Sequence, residues 1–289
     1  MRTSVDCIPC FIQQALAAAR MATDDASVHE EVLRRVADTV SRMDMDTTPP
    51  VMGQMIHRLV RQLTGEADPY LEVKQWSNRI AAELVPEIRG RLHEASDTEK
   101  LEVAVRAAIA GNIMDFGARS DVDDTTVRRS MDSAATAPIN GDVLALSRET
   151  ETASSILYLT DNAGEIVFDK VLIEQLGPER VTVAVRGRPV LNDALRADAE
   201  VAGLQDLVEI IDNGSDAPGT VLDDCSETFR ARFMSADMVI AKGQGNYETL
   251  SDAPRPVWFI LMVKCHVIAR HIGCESGSFI VERKPPAGR

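Results

Sequence analysis

The chain has 289 residues, 45% hydrophobic and 26% charged, a composition that fits a folded globular protein and excludes a disordered or fibrous one. Thirty-one basic against forty-five acidic side chains give a net charge of −14, divided as −7 in residues 1–150 and −7 in residues 151–289. Neither half is a basic module, so binding built on nucleic-acid phosphates is not expected.

Along the chain, the first 115 or so residues read as helix. Val28, Val32, Leu33, Val36 and Val40 recur at helical spacing over 28–43, and Thr47-Thr48-Pro49-Pro50 is a break followed by a helix start at proline. Residues 71–84 and 86–95 read as two helices, with Pro86 as the hinge or first turn. Leu101, Val105, Ala108 and Ile109 mark a further helix closing near Gly117, and a loop rich in Asp, Ser and Thr is expected over 119–137. The pattern then changes to short apolar runs alternating with amphipathic segments. Strands are expected at 156–159, 181–185, 207–211, 238–241, 257–263 and 279–281. Helices are expected at 165–176, 193–201, 225–233, near Tyr247, and at 266–271. That alternation implies an α/β fold: a mainly parallel sheet with helices on both faces, behind an all-helical N-terminal region, with the division near residue 150. The longest apolar run, Pro256 to Val263, is far short of the roughly 18–20 residues of a membrane helix. MRTSVDCIPCFIQQ lacks the basic and apolar regions of a secretory signal, and five cysteines, an odd number, do not suggest a disulfide scaffold. A cytoplasmic protein without membrane or nucleic-acid partners is expected; its oligomeric state is left open.

In open α/β sheets ligands lie on the loops beyond the carboxyl ends of the strands. Those loops carry Asp161-Asn162-Ala163-Gly164-Glu165, Arg186-Gly187-Arg188, Asn192-Asp193, Asp212-Asn213-Gly214-Ser215-Asp216, Lys242-Gly243-Gln244-Gly245-Asn246-Tyr247-Glu248 and Lys264-Cys265. Asp161 and Asn162 offer the oxygen ligands that hard divalent cations take, and Asp193 on the next loop would add a second carboxylate. The alternative is structural: an Asx turn capping the helix at Glu165, and an N-cap for the helix after Asp193. Cys7 and Cys10 form a CxxC pair open to three readings, as part of a zinc site, a redox pair or packing. Arg186 and Arg188 could guide an anion or simply be solvated. None of His29, His57, His93, His266 or His271 lies in these loops, which argues against a histidine phosphatase.

The segments LYLTDNAGEIVFDKVLIEQL, VRGRPVLNDA, NGSDAPGT and KGQGNYETL, with Gly111-Asn112 at a helix end, resemble the damage-control phosphatase family, formerly a domain of unknown function numbered 89 and also called ARMT1-like. Cys7-Ile8-Pro9-Cys10, the GNxE-like Gly245-Asn246-Tyr247-Glu248 and Lys264-Cys265 resemble the motifs of its prokaryotic subfamily I. The resemblance implies a helical region against a Rossmann-like domain and a metal-dependent phosphatase acting on small, damaged or side-product phosphometabolites. It implies Asp161, Asn162 and Asp193 as ligands of a divalent ion (Mn, Ni, Co or Mg), with Asp161 catalytic. On that reading Lys242 and the backbone at Gly164 hold the phosphoryl oxygens. Asn246, Glu248 and Lys264 are expected near the substrate. A haloacid-dehalogenase mechanism needs a second acid two residues after the first, where this chain has Ala163. A methyltransferase-like enzyme would want a glycine fingerprint after its first strand, which is lacking. A non-catalytic phosphometabolite-binding or redox-sensing protein is the remaining alternative.

Overall fold

Helices α1 (Ile8–Ala22), α2 (Ala26–Ser41) and α3 (Pro49–Thr64) pack on one another around Phe11, Ala15, Val32, Val36, Met52, Ile56 and Val60. Ala15, Ala18 and Ala19 are fully buried, and their small side chains let the neighbouring helices come close. This is a computed structural model, and it describes residues 1–112 and 124–288.

Helix α4 (Leu71–Glu94) runs unbroken through Pro86, where two helices were expected. Proline deprives the carbonyl four residues earlier of its partner, at a cost of about 3 kcal/mol in a helix interior. Here that carbonyl belongs to Ala82, and both Ala82 and Pro86 are exposed, so water can serve it. The opposite face buries Ile80, Ala81, Leu84, Ile88 and Leu92, and that burial carries the helix across the proline.

Helix α5 (Asp97–Ala110) follows a Ser96/Glu99 capping box. Helix α6 (Asp124–Thr136) replaces most of the loop expected over 119–137; residues 119–123 lie outside the described residues, as does the expected close at Gly117. Its sequence is polar, and only the burial of Met131 and Ala134 against the neighbouring core marks an inner face.

Among the described residues the sheet has seven strands in the order β1-β7-β6-β5-β2-β3-β4. They are β1 (Ile139–Gly141), β2 (Ile156–Leu159), β3 (Val181–Val185), β4 (Glu209–Asp212), β5 (Met238–Lys242), β6 (Val257–Met262) and β7 (Phe279–Lys284). All neighbours pair in parallel except β6 and β7. Strands β2, β5 and β6 are buried at every position, which is why they read as unbroken apolar runs. Strand β1 is too short to be read from sequence, and by pairing with β7 it starts the sheet upstream of residue 150. Helix α7 (Val143–Thr152) follows it.

Helices cover both faces. Helix α8 (Glu165–Leu176) packs with α4 and α5 on one side. Helices α10 (Glu227–Ser235), α11 (Gly243–Leu250) and α12 (His266–Ile272) cover the other. Among the described residues no helix is long and apolar enough to cross a membrane. From β2 the chain proceeds outward to β3 and β4, then returns to β5 on the opposite side of β2 and proceeds to β6. The direction of winding therefore reverses at β2 and β5, and a ligand crevice is expected beyond their carboxyl ends.

Candidate active site

At the end of β2 the backbone of Asn162 pairs with that of Asp193 in an isolated antiparallel bridge. Ala163 N–H donates to the Asn192 carbonyl at 2.8 Å, and Ala194 N–H to the Asp161 carbonyl at 2.8 Å. Two loops far apart in sequence are thus stapled together, and Asp161, Asn162 and Asp193 are all buried. The capping alternative fails for each. Helix α8 has Gly164 at its N-cap and no side-chain cap bond. Helix α9 (Arg196–Val201) starts three residues beyond Asp193, with Leu195 at the N-cap.

Asp161 is held from several directions. Its Oδ2 accepts from Asn162 Nδ2 at 2.7 Å and from Asn112 Nδ2 at 2.8 Å. Both amides also donate to Glu165 Oε2, at 2.9 and 2.7 Å. Two carboxamides therefore clamp the same pair of carboxylate oxygens. Asn112 is wholly buried just past the end of α5, and among the described residues its Oδ1 has no partner. Behind Asp161 lies Gly243, at φ +78°, where a Cβ would sit 1.9 Å from Asp161 Oδ2. Only glycine allows that approach.

Two buried cations stand among these carboxylates. Lys242 Nζ donates to Glu165 Oε1 at 2.7 Å, Asp169 Oδ1 at 2.6 Å and the Ala108 carbonyl at 3.0 Å. Asp169 also accepts from the Tyr158 hydroxyl at 2.8 Å. Arg186 Nε donates to Asp193 Oδ2 at 2.6 Å. Lys242 thus pairs with Glu165 and Asp169, and Arg186 with Asp193, all of them buried. Burial raises the Asp169 pKa above the usual carboxylate range, against the pull of Lys242. Burial would lower the Lys242 pKa, but Asp169 and Glu165 outweigh it and hold the ammonium charged.

Two expected roles are corrected. Lys242 does not present an ammonium to a phosphoryl group, because its three donors meet three acceptors inside the protein. The Gly164 N–H does not face a ligand either; it donates to Asn78 Oδ1 at 2.7 Å, while Ser77 packs against its Cα.

The GNxE-like motif also divides. Gly245 packs against the turn at Pro218 and Gly219. Asn246 is buried, donates to the Thr160 and Lys242 carbonyls at 3.0 and 2.7 Å, and accepts from Thr220 Oγ1 at 2.8 Å and weakly from Arg186 at 3.4 Å. It ties strand ends together instead of facing a substrate. Tyr247 is core, edge-on to Phe259. Glu248 lies on another side, accepting from Gln244 at 2.9 Å, and burial pushes its carboxyl up to about 7. Cys7, Cys10, Cys265 and Glu248 lie close enough to interact electrostatically, and burial raises the Cys7 and Cys10 thiols. The Lys264 N–H donates to Gln244 Oε1 at 3.1 Å, so the Lys264-Cys265 motif joins this thiol cluster.

Helix α3 closes the far side. Arg58, Arg61 and Gln54 converge on buried Asp216 in the loop after β4, and Arg61 donates to the Pro189 carbonyl at 2.7 Å. Burial would raise the Asp216 carboxyl, but these partners hold it at about 2. Asn78, Asp169 and Gly243 were not singled out from sequence. Glu165 and Asp169, four apart in α8 among apolar neighbours and both buried, were the available signal.

Among the described residues no three His, Cys, Asp or Glu side chains are grouped to hold a metal ion, so a metal here would draw on a carboxamide. The donors at the β2 and β3 ends are of the kind a hard divalent cation takes: two buried carboxylates and the Asn162 carboxamide, whose Nδ2 is already engaged.

A Rossmann-like sheet with a buried carboxylate–carboxamide centre at its switch point, assembled jointly with a helical N-terminal region, is the class of molecule these features define. The chain belongs to the family described as the damage-control phosphatase ARMT1-like domain, whose profile matches residues 3–280. It is 32% identical to an uncharacterized protein of Methanocaldococcus jannaschii, MJ0202, over 96% of this chain and 94% of that one. It is 31% identical to a protein named damage-control phosphatase from Archaeoglobus fulgidus, over 98% of this chain and 99% of that one. The crystal structure of a DUF89 family protein, PH1575 of Pyrococcus horikoshii, matches with a TM-score of 0.88 and 30% identity, covering 98% and 99% of the two chains.

Proposed function

We propose that this protein is a metal-dependent phosphatase that hydrolyses small phosphorylated metabolites, damaged or side-product ones among them. The observation that carries the reading is the convergence of two buried carboxylates, Asp161 and Asp193, with the Asn162 carboxamide where the β2 and β3 loops are stapled together. The names of the relatives support the phosphatase part. Asp161, Asn162 and Asp193 would hold a divalent ion such as Mn²⁺, Ni²⁺, Co²⁺ or Mg²⁺. When bound, such an ion polarises a phosphoryl group and supplies an activated water.

The remaining work falls to the chain. Asn112 and Asn162 fix one oxygen of Asp161, and Arg186 fixes one oxygen of Asp193. Orientation of metal ligands from outside the ligand set commonly governs affinity and rate. Lys242 offsets Glu165 and Asp169 without touching substrate. The five cysteines are free thiols, which suits the reducing cytoplasm.

The test is p-nitrophenyl phosphate hydrolysis by metal-stripped protein, with Mg²⁺, Mn²⁺, Co²⁺ and Ni²⁺ restored in turn. Asp161→Asn and Asp193→Asn should keep the fold, weaken metal binding and lower turnover by orders of magnitude. Full activity in the stripped protein, or wild-type metal binding in both variants, would refute the proposal, and absence of turnover with all four metals would favour a binding or redox-sensing role.

A further inference from the structure

Cys7 and Cys10 take no part in the site described above. Among the described residues no three His, Cys, Asp or Glu side chains are grouped as metal ligands, so the zinc reading of the pair has no ligand set. The backbone sets the two thiols up for each other. A 3-10 turn, Val5–Cys7, runs directly into α1, and Cys7 at the junction keeps right-handed helical backbone without a side-chain cap bond. Cys10 therefore lies one turn further along the same face, where helical residues three apart hold their Cβ atoms about 5–6 Å apart. A disulfide needs roughly 3.5–4.5 Å. In a 3-10 helix residues three apart eclipse, so extending the existing turn into α1 brings the second thiol over the first. Little resists that shift: the N–H groups of a helix's first turn have no intrahelical partner, and Pro9 has no N–H at all.

The five thiols differ in access. Cys10 is exposed and Cys7 half-buried, whereas Cys225 is buried and its thiol is pushed up to about 12 by burial. Cys265 is half-buried and accepts from Gln244 Nε2 at 3.7 Å, and Cys274 lies beyond the other end of α12. We propose that Cys7 and Cys10 are a reversible redox pair, closing to an intramolecular disulfide by exchange with a low-molecular-weight disulfide of the glutathione class. The Cys10 thiolate attacks one sulfur of the small disulfide, forming a mixed disulfide and releasing one small thiol. Cys7 then gives up its proton, attacks the Cys10 sulfur and releases the second. Two protein thiols are oxidised, and one disulfide is reduced to two thiols that carry the two protons. Burial raises both Cys7 and Cys10, with Glu248 and Cys265 adding to it, so neither is held as a thiolate. Such a pair exchanges slowly, but its reduced form lacks the thiolate stabilisation that makes a dithiol resist oxidation. This inference stands apart from the metal and phosphatase readings.

The experiment incubates the full chain with glutathione disulfide at graded ratios to glutathione, quenches with acid, alkylates the remaining thiols in denaturant, and reads intact mass and a tryptic map. Wild type should go from five alkylated thiols to three and retain no glutathione. The peptide that carries Cys7 and Cys10 should be the one that escapes alkylation, until dithiothreitol restores it. Cys7→Ser should stop at the mixed disulfide, with one glutathione held on Cys10. Cys10→Ser should take up no glutathione at the ratio that oxidises wild type, because the exposed attacking thiol is gone. A disulfide from Cys10 to Cys265 overturns the proposal, as does a wild type that keeps five thiols or holds glutathione throughout. Circular dichroism verifies that the variants fold; if either does not, the wild-type map decides the matter without them.

Discussion

Replacing Lys242 by Met tests whether that lysine is part of the scaffold or of the substrate site. Methionine nearly matches its volume but removes a cation with no solvent exposure that sits 2.7 Å from Glu165 and 2.6 Å from Asp169. Breaking a buried pair from one side costs about 3–5 kcal/mol, because the surviving partner stays buried and uncompensated. Here two carboxylates are stranded, and the Ala108 carbonyl loses its donor as well. Against a total stability of roughly 5–15 kcal/mol for a typical domain, that is a large fraction. Asp169 already binds its proton more tightly in the folded state than when unfolded, through burial. Without Lys242 that preference grows, so the variant should gain stability as pH falls from 8 toward 5, where the folded state takes up a proton that the unfolded chain does not. Urea denaturation at pH 8 and pH 5 measures both effects. A variant as stable as wild type at both pH values, with a raised KM for phosphate esters, would refute the reasoning and return Lys242 to the substrate.

Gly243→Ala places a methyl group 1.9 Å from Asp161 Oδ2 at φ +78°; a loss of about 1–2 kcal/mol from backbone strain alone, with weakened metal binding, should appear in thermal melts and calorimetry. Asp216→Asn loosens α3 from the loops after β3 and β4. Because Asp216 is held at about 2, its contribution is present above pH 4 and is lost as pH falls toward 2, so variant and wild type should differ by about 1–2 kcal/mol at pH 7 and converge in acid denaturation curves. The Cys7→Ser/Cys10→Ser double variant should lose solubility or stability before turnover per folded molecule; a thousandfold drop in a folded variant would put the thiols in the mechanism.

Much of the fold was legible because period and burial coincide. Strands β2, β5 and β6 are wholly buried, so each announced itself as an apolar run, and Ile166, Val167, Phe168, Val171, Leu172, Ile173 and Leu176 marked the helix Glu165–Leu176. Pro86 misled because propensity is local, whereas the burial that carries α4 past it is not. Helix α6 was read as loop because its polar residues hide a narrow inner face at Met131 and Ala134. In the candidate site, Asp161, Asn162 and Asp193 stood out by their place at strand ends, and the fold brings them together. Lys242 was given the wrong partners because a lysine at a glycine turn carries no mark of which way it points. Asn78 and Asn112 bond to groups 86 and 53 residues away, respectively, and no spacing rule reaches that far.

The contributions of Asn78, Ala108 and Asn112 bear on what can be cut from this chain. Helix α8 has its first N–H satisfied by Asn78, its Glu165 carboxylate by Asn112, and the lysine opposite it by the Ala108 carbonyl. A fragment starting at residue 151 would expose this helix terminus and strip the α8 face of the residues that bury Phe168 and Val171. The helical part is therefore no removable lid over a finished enzyme. Denaturation should follow one cooperative transition, because α4 and α5 share one core with α8.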